Sequence, residues 1–292
     1  MEKLFIYLNS IPRWIYAILL VALLFHLSLF TVNPELSKKQ EQPSEKPSTT
    51  KDKEPEIPNW QVITLAQGER VYYKAGKVEK IEVDGIIANP SMPLEFIACT
   101  DGGKDYETLI VIKCKPWNIH LSLIMAGLKE GKGPKSFGDP TKPTGDLVLL
   151  FISWENNNKT ITYRVEDLLI DSSTGKVLEP VGWSFSGSEL VDDIDYDTGK
   201  PTGRKIYLAD LYKNVVASWH DPAAILNIPT RGNLFLPNKQ LLPPRGTKIV
   251  MTIRPPDAKE LEELKKINAQ VAEREAKEDK EYEQQKSQQE TK

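Results

Sequence analysis

A chain of 292 residues, 40% hydrophobic and 27% charged, has room for one or two folded units of ordinary globular composition. Its net charge of −3, from 38 basic and 41 acidic residues, speaks against a nucleic-acid partner, because domains that bind nucleic acid carry a basic surplus. Two cysteines, Cys99 and Cys114, are too few for a Cys₄ zinc site, an iron–sulfur cluster or a disulfide-stapled scaffold, and no cofactor is expected.

The first predicted element is a membrane span. Trp14 to Val32 form a run of ~19 residues without Lys, Arg, Asp, Glu or Pro. At ~1.5 Å rise per residue, a helix of that length covers most of a ~30 Å bilayer core. The run is longer than the ~7–15 apolar residues of a cleaved signal peptide and ends without a small-x-small signal. Residues 1–13 then read as a short cytoplasmic N-terminus. Residues 14–32 read as a transmembrane signal anchor, with the lipid bilayer as a partner. The very short N-terminal flank predicts that the remainder is extracytoplasmic. Residues 33–59 are rich in Pro, Lys and Glu and nearly devoid of large apolar side chains. They cannot bury enough surface to offset chain entropy, which predicts a disordered stalk.

Residues 60–254 carry the globular pattern. Apolar and β-branched runs predict strands over 61–65, 78–83, 94–98, 108–114, 147–154, 160–165, 183–186, 205–209, 214–218 and 248–253. The turn dipeptides Asp84-Gly85 and Gly102-Gly103 and the run Asn156-Asn157-Asn158 separate some of them. The clearest helix starts at Pro116 and stops before Gly127, the expected asymmetry of helix ends. Shorter helices are expected at 165–170 and 222–226. The fold class is therefore α+β: a strand-dominated mixed sheet with a few packed helices, preceded by a single transmembrane helix. In the tail, residues 255–292, Asp257 and Glu260 form a capping-box pair. Leu261, Leu264, Ile267 and Val271 make one apolar stripe. The expectation is a short helix docked on the domain followed by a solvated extension. The alternative is a helix that binds a protein partner.

Three groups of residues are candidates for chemistry. The turn from Asp101 to Glu107 is dense in ionisable groups, and Lys104, Glu107 and His120 form a catalytic candidate if they meet in one pocket. The bland reading of the same turn is a charged hairpin tip with Lys104 and Glu107 paired. Asp193, Asp195 and Asp197 offer the alternating oxygens that a hard cation requires. However, Thr198 and Arg204 occupy positions where a calcium loop needs Gly and Glu, so an acidic turn is the default. Cys99 and Cys114 are expected to be buried and unpaired. In a hairpin about Gly102-Gly103 they would lie ~20 Å apart, well beyond the ~7 Å reach of a disulfide.

Several stretches together resemble the YdjY-like domain, a family of uncharacterised bacterial proteins. They are Leu94-Glu95-Phe96, the segment from Gly102 to Glu107, His120 to Leu128, Gly182 to Ser188, Val215 to Ile225 and Pro244 to Val250. The resemblance covers roughly Lys77 to Arg254 and implies no activity. Relatives often carry His where this chain has Tyr106, which weakens a metal reading of that turn. The leading expectation is a membrane-anchored, non-enzymatic binding module. The alternatives are a cell-envelope enzyme, a hydrolase for example, built on the Asp101 to Glu107 turn with His120, and a structural subunit of an envelope assembly.

Overall fold

The computed structural model describes residues 61–66, 68–74 and 76–290. The expected N-terminus, membrane span and stalk lie outside the described residues. In chain order the strands are β1 (Gln61–Ala66), β2 (Glu69–Lys74), β3 (Lys77–Ile87), β4 (Phe96–Thr100), β5 (Thr108–Ile112), β6 (Leu147–Asn156), β7 (Lys159–Arg164), β8 (Leu169–Asp171), β9 (Trp183–Phe185), β10 (Leu190–Ile194), β11 (Pro201–Tyr207), β12 (Asn214–Ala217), β13 (Leu226–Asn227), β14 (Phe235–Pro237) and β15 (Lys248–Arg254). The α-helices are α1 (Pro116–Met125), α2 (Leu208–Tyr212) and α3 (Ala258–Glu290). Strands thus dominate a mixed α+β fold.

Eight strands close into a barrel in the order β3, β15, β6, β9, β13, β12, β4, β5 and back to β3. Closure rests on β3, whose 11 residues serve two neighbours along one edge. Glu69 to Lys74 pair with its first part and Ile110 to Ile112 with its end. At the changeover sits Gly85, where a Cβ would lie 2.6 Å from the Val111 carbonyl oxygen; only glycine lets the strands approach this closely. Alternate residues fill the interior, among them Ile81 and Val83 of β3, Val148, Leu150 and Ile152 of β6, and Met251 and Ile253 of β15. β4 and β5 are buried at every position, as strands covered on both faces are.

Several expectations fail here, among them the turn at Asp84-Gly85, whose two residues lie inside β3. β4 and β5 are not a hairpin; they are parallel, with Phe96 beside Thr108 and Cys99 beside Val111. Gly102-Gly103 does reverse the chain, but residues 101–107 run back over β4 instead of turning straight into a partner. Gly103 lies so close to that strand that a Cβ would sit 3.0 Å from the Cβ atoms of Cys99 and Lys213. The helix expected at 222–226 is also absent. Asp221 accepts the Ala223 N–H at 2.9 Å as a cap would, yet the turn ends and Leu226 enters β13, parallel to β12. The helix expected at 165–170 is a 3-10 turn, Val165–Leu168, that leads into β8.

α1 has the expected ends. Pro116 occupies its first turn, and Gly127 takes φ +80° beyond its last. Its cap comes from another element, since Asp210 of α2 accepts the Trp117 N–H at 2.9 Å. α3 begins with the predicted capping box: Asp257 accepts the Glu260 N–H and Glu260 accepts the Asp257 N–H, both at 2.8 Å. Arg254 grips the same carboxylate with two bonds of 2.6 and 2.7 Å and so draws Glu260 down to about 2. The helix does not end early as expected but runs 33 residues, because Lys, Glu, Gln and Ala are strong helix formers even without a buried stripe. Leu264 and Val271 are buried, whereas residues 276–288 are exposed throughout. No helix among the described residues is long and apolar enough to cross a membrane.

Candidate functional site

The parallel pairs β4–β5 and β12–β13 flank the antiparallel β4–β12 seam. Their connections, residues 101–107 and 218–225, bring charged side chains together beside that seam. Glu95 anchors the junction through its backbone. Its N–H donates to the Glu107 carbonyl at 3.1 Å, and its carbonyl accepts the Ser218 and Trp219 N–H groups at 3.0 Å each. The Lys104 ammonium lies 2.8 Å from Glu107 Oε1 and 3.8 Å from Glu95 Oε2. It also sits 5.1 and 5.0 Å from the ring centroids of Phe96 and Phe137, within cation–π range. From the second connection, buried Asp221 accepts a 2.5 Å bond from Asn214 Nδ2.

Electrostatics follow this arrangement. Burial, and then the charge of Glu107, raises the Glu95 carboxyl above its ordinary range, while Lys104 pulls the other way. Burial likewise raises Asp221. Burial alone would lower Lys104, but its bond to Glu107 and the charge of Glu95 outweigh that and raise it. The amine therefore stays an ammonium and is not a nucleophile. The cluster is built to hold a cation between carboxylates and rings, and the chain's own Lys104 occupies that place.

His120 belongs to a different environment. It is 1% exposed. Its ring stacks on Trp117 at 5.4 Å and meets Phe185 and Tyr207 edge-on. Nδ1 lies 2.8 Å from the Tyr207 hydroxyl, and Nε2 lies 3.5 Å from Glu130 Oε2. The tautomer protonated at Nε2 fits both neighbours, with Tyr207 donating to Nδ1. Burial lowers the imidazole to about 4, so the ring is neutral and the Glu130 contact is not an ion pair. The structure brings Lys104 and Glu107 together. It gives His120 described partners that include none of those around Lys104.

The acidic candidates lie on the β10–β11 hairpin. Asp193 pairs with Arg204 at 2.6 Å and accepts the Thr202 hydroxyl at 3.0 Å. Asp195 accepts the Thr198 N–H and hydroxyl, both at 2.8 Å, and Asp197 is exposed. Asp193 lies in β10, and Asp195 and Asp197 lie in the exposed segment that follows it. Among the described residues, no group of three or more His, Cys, Asp or Glu is arranged to hold a metal ion. Cys99 and Cys114 are both buried and unpaired. With Cys99 beside Val111, three residues separate their levels, ~10 Å instead of the hairpin's ~20 Å but still too far to bond. Burial pushes Cys99 up to about 11 and raises Cys114 further, so neither offers a thiolate.

Asp221 and Phe137 were not legible as members of the Lys104 cluster. Asp221 reads as a helix cap, and Phe137 lies in a Gly- and Pro-rich stretch without periodicity. A separate cleft of about 540 Å³ lies between β6, β7 and residues 240–247, floored by Ile161, Tyr163, Leu241 and Leu242 and rimmed by Glu155, Asn156 and Gln240. No motif announces it. No curated protein and no solved structure matches the chain. The family model for the YdjY domain matches residues 73–254, more than half of the chain and nearly the stretch on which the resemblance was read. The chain belongs to the YdjY-domain family.

Proposed function

We propose that this protein is a membrane-tethered binding module that performs no catalysis of its own. Residues 14–32 would anchor it, residues 33–59 would space it from the bilayer, and the barrel would face the extracytoplasmic side. Support for the tether is the uncharged run from Trp14 to Val32, long enough to span a bilayer. Support for a binding role comes chiefly from one observation: the buried, neutral His120 is packed among Trp117, Phe185 and Tyr207, while Lys104 and Glu107 neutralise each other elsewhere. A hydrolase needs a base and an acid that reach one substrate; the distance of His120 from the Lys104 and Glu107 pair supports a binding role instead. The cleft beside Tyr163 has a volume within the ~300–1,000 Å³ of small-ligand sites and is the favoured binding surface.

A double-mutant cycle tests the reading. His120→Gln and Glu107→Gln are expected to lower stability additively, within ~0.5 kcal/mol, as independent sites do. A larger coupling between them would place both in one functional constellation and overturn the non-enzymatic reading.

A further inference from the structure

The hairpin of β6 and β7 leaves one row of backbone groups open beside the cleft. Asn157 and Asn158 turn it with φ 50° and 60°, a two-residue turn that matches the twist of the strands. Asn156 then faces Lys159, Trp154 faces Ile161 and Ile152 faces Tyr163. In such a hairpin the pair next to the turn exchanges both backbone bonds, and every second pair after it does the same. Lys159, Ile161 and Tyr163 therefore point their N–H and C=O groups at β6, whereas Thr160 and Thr162 point theirs away. The 2.8 Å contact between the Ser153 and Thr162 hydroxyls fits the closer side chains of a non-hydrogen-bonded pair.

Among the described residues, β6 is the only strand that pairs with β7, and no other element bonds the backbone of Thr160 or Thr162. Both threonines are exposed. Edge strands are commonly blunted by a central charge, a proline or a bulge; here the cations, Lys159 and Arg164, stand only at the ends. Between them Ile161 and Tyr163 turn to the cleft, which they line together with Leu241, Leu242 and Pro243. An open backbone edge and an apolar cleft thus run along one strand.

On the footing that the cleft is the binding surface, we propose that β7 takes an extended peptide segment of another protein, which adds as an antiparallel strand and places alternate apolar side chains in the cleft. Thr160 and Thr162 supply two backbone donors and two acceptors, and the cleft selects the side chains, as in other cases of strand addition. Among the described residues that line the cleft, Glu155 alone is charged, so a peptide flanked by Lys or Arg is favoured over an acidic one. A second copy of β7 fits poorly, because antiparallel pairing would bring Lys159 near Arg164 at both ends. Residues 33–59 of the chain itself hold almost no large apolar side chain to fill the cleft.

The test follows the backbone amides of the ¹⁵N-labelled full chain while a blocked peptide, Lys-Val-Thr-Val-Thr-Val-Lys, is added. Exchange of the Thr160 and Thr162 amides should slow about tenfold at saturation, with resonance shifts at Ile161 and Tyr163. Thr162→Pro removes one outward N–H and leaves the ladder to β6 whole, since proline is tolerated where an edge strand faces solvent. It should weaken the peptide about tenfold, the effect of one bond. A peptide N-methylated at its two threonines tests the same bonds with the protein unaltered and should bind more weakly still. N-acetyltryptophanamide, which can enter the cleft but cannot form a ladder, separates the outcomes. If it shifts Ile161 and Tyr163 while the peptide protects neither threonine, strand addition is overturned and the cleft stands as the binding surface. If neither compound shifts them, both readings fall. Equal binding of the N-methylated peptide also overturns strand addition. So does threonine protection that rises with protein concentration in the absence of peptide, the mark of a second copy.

Discussion

Replacing Lys104 by alanine tests whether the junction of the two parallel connections is structural. Three losses follow from the geometry. The ion pair with Glu107 is 42% exposed on the lysine side, so it contributes at most ~1 kcal/mol. The ammonium over Phe96 and Phe137 adds ~0.5–1 kcal/mol. Glu107, only 19% exposed, is left with a shielded carboxylate and no cation, which costs ~1–3 kcal/mol. These overlap, and the expected net loss is about 2 kcal/mol with an unchanged dependence on denaturant concentration. Urea denaturation of the full chain at neutral pH measures it. Lys104→Met, which keeps the apolar stem over the rings, should lose less. Unchanged or increased stability in Lys104→Ala would refute the argument, because residues retained at a cost to stability are a mark of function.

Glu95→Gln addresses the same junction through pH. The folded-state carboxyl is raised above its ordinary range by burial and Glu107, so the folded chain holds that proton more tightly than the unfolded one. Its ionisation therefore lowers stability as pH rises through the carboxylate range. The variant should be more stable than the parent at neutral pH and lose that advantage in acid; destabilisation at neutral pH would contradict it. Removing residues 14–32 should move the protein from the membrane pellet to the soluble fraction, and retention in the pellet would refute the proposed anchor.

Legibility in the sequence followed how local the physics was. The capping box of Asp257 and Glu260 and the Pro116 and Gly127 ends of α1 depend on a few neighbouring residues, and the structure has them. β2 was missed because it opens on Glu69, a residue type that reads as surface. Here Glu69 is fully buried and accepts the Ser122 hydroxyl at 2.9 Å, a contact supplied by a helix more than 50 residues away. The parallel pairing of β4 with β5 was likewise out of reach. Gly102-Gly103 reports that the chain reverses, but the partner strand is chosen by barrel closure through β3 and β12. Lys104 with Glu107 was legible because three residues separate them. Their company, Phe137 and Asp221, comes from distant segments that no local pattern joins.

The central claim is that His120 is a sealed structural residue and not an acid–base catalyst. Its Cε1 proton resonance, followed from neutral pH downward in the full chain, tests this most directly. Burial lowers the imidazole from 6.5 to about 4, so the unfolded chain binds a proton first and stability should fall across that interval as acid is added. The account predicts a titration midpoint near 4 that does not move in Glu107→Gln. A midpoint close to the ordinary imidazole value, or one displaced by Glu107→Gln, would contradict it and return His120 and Glu107 to a common active site.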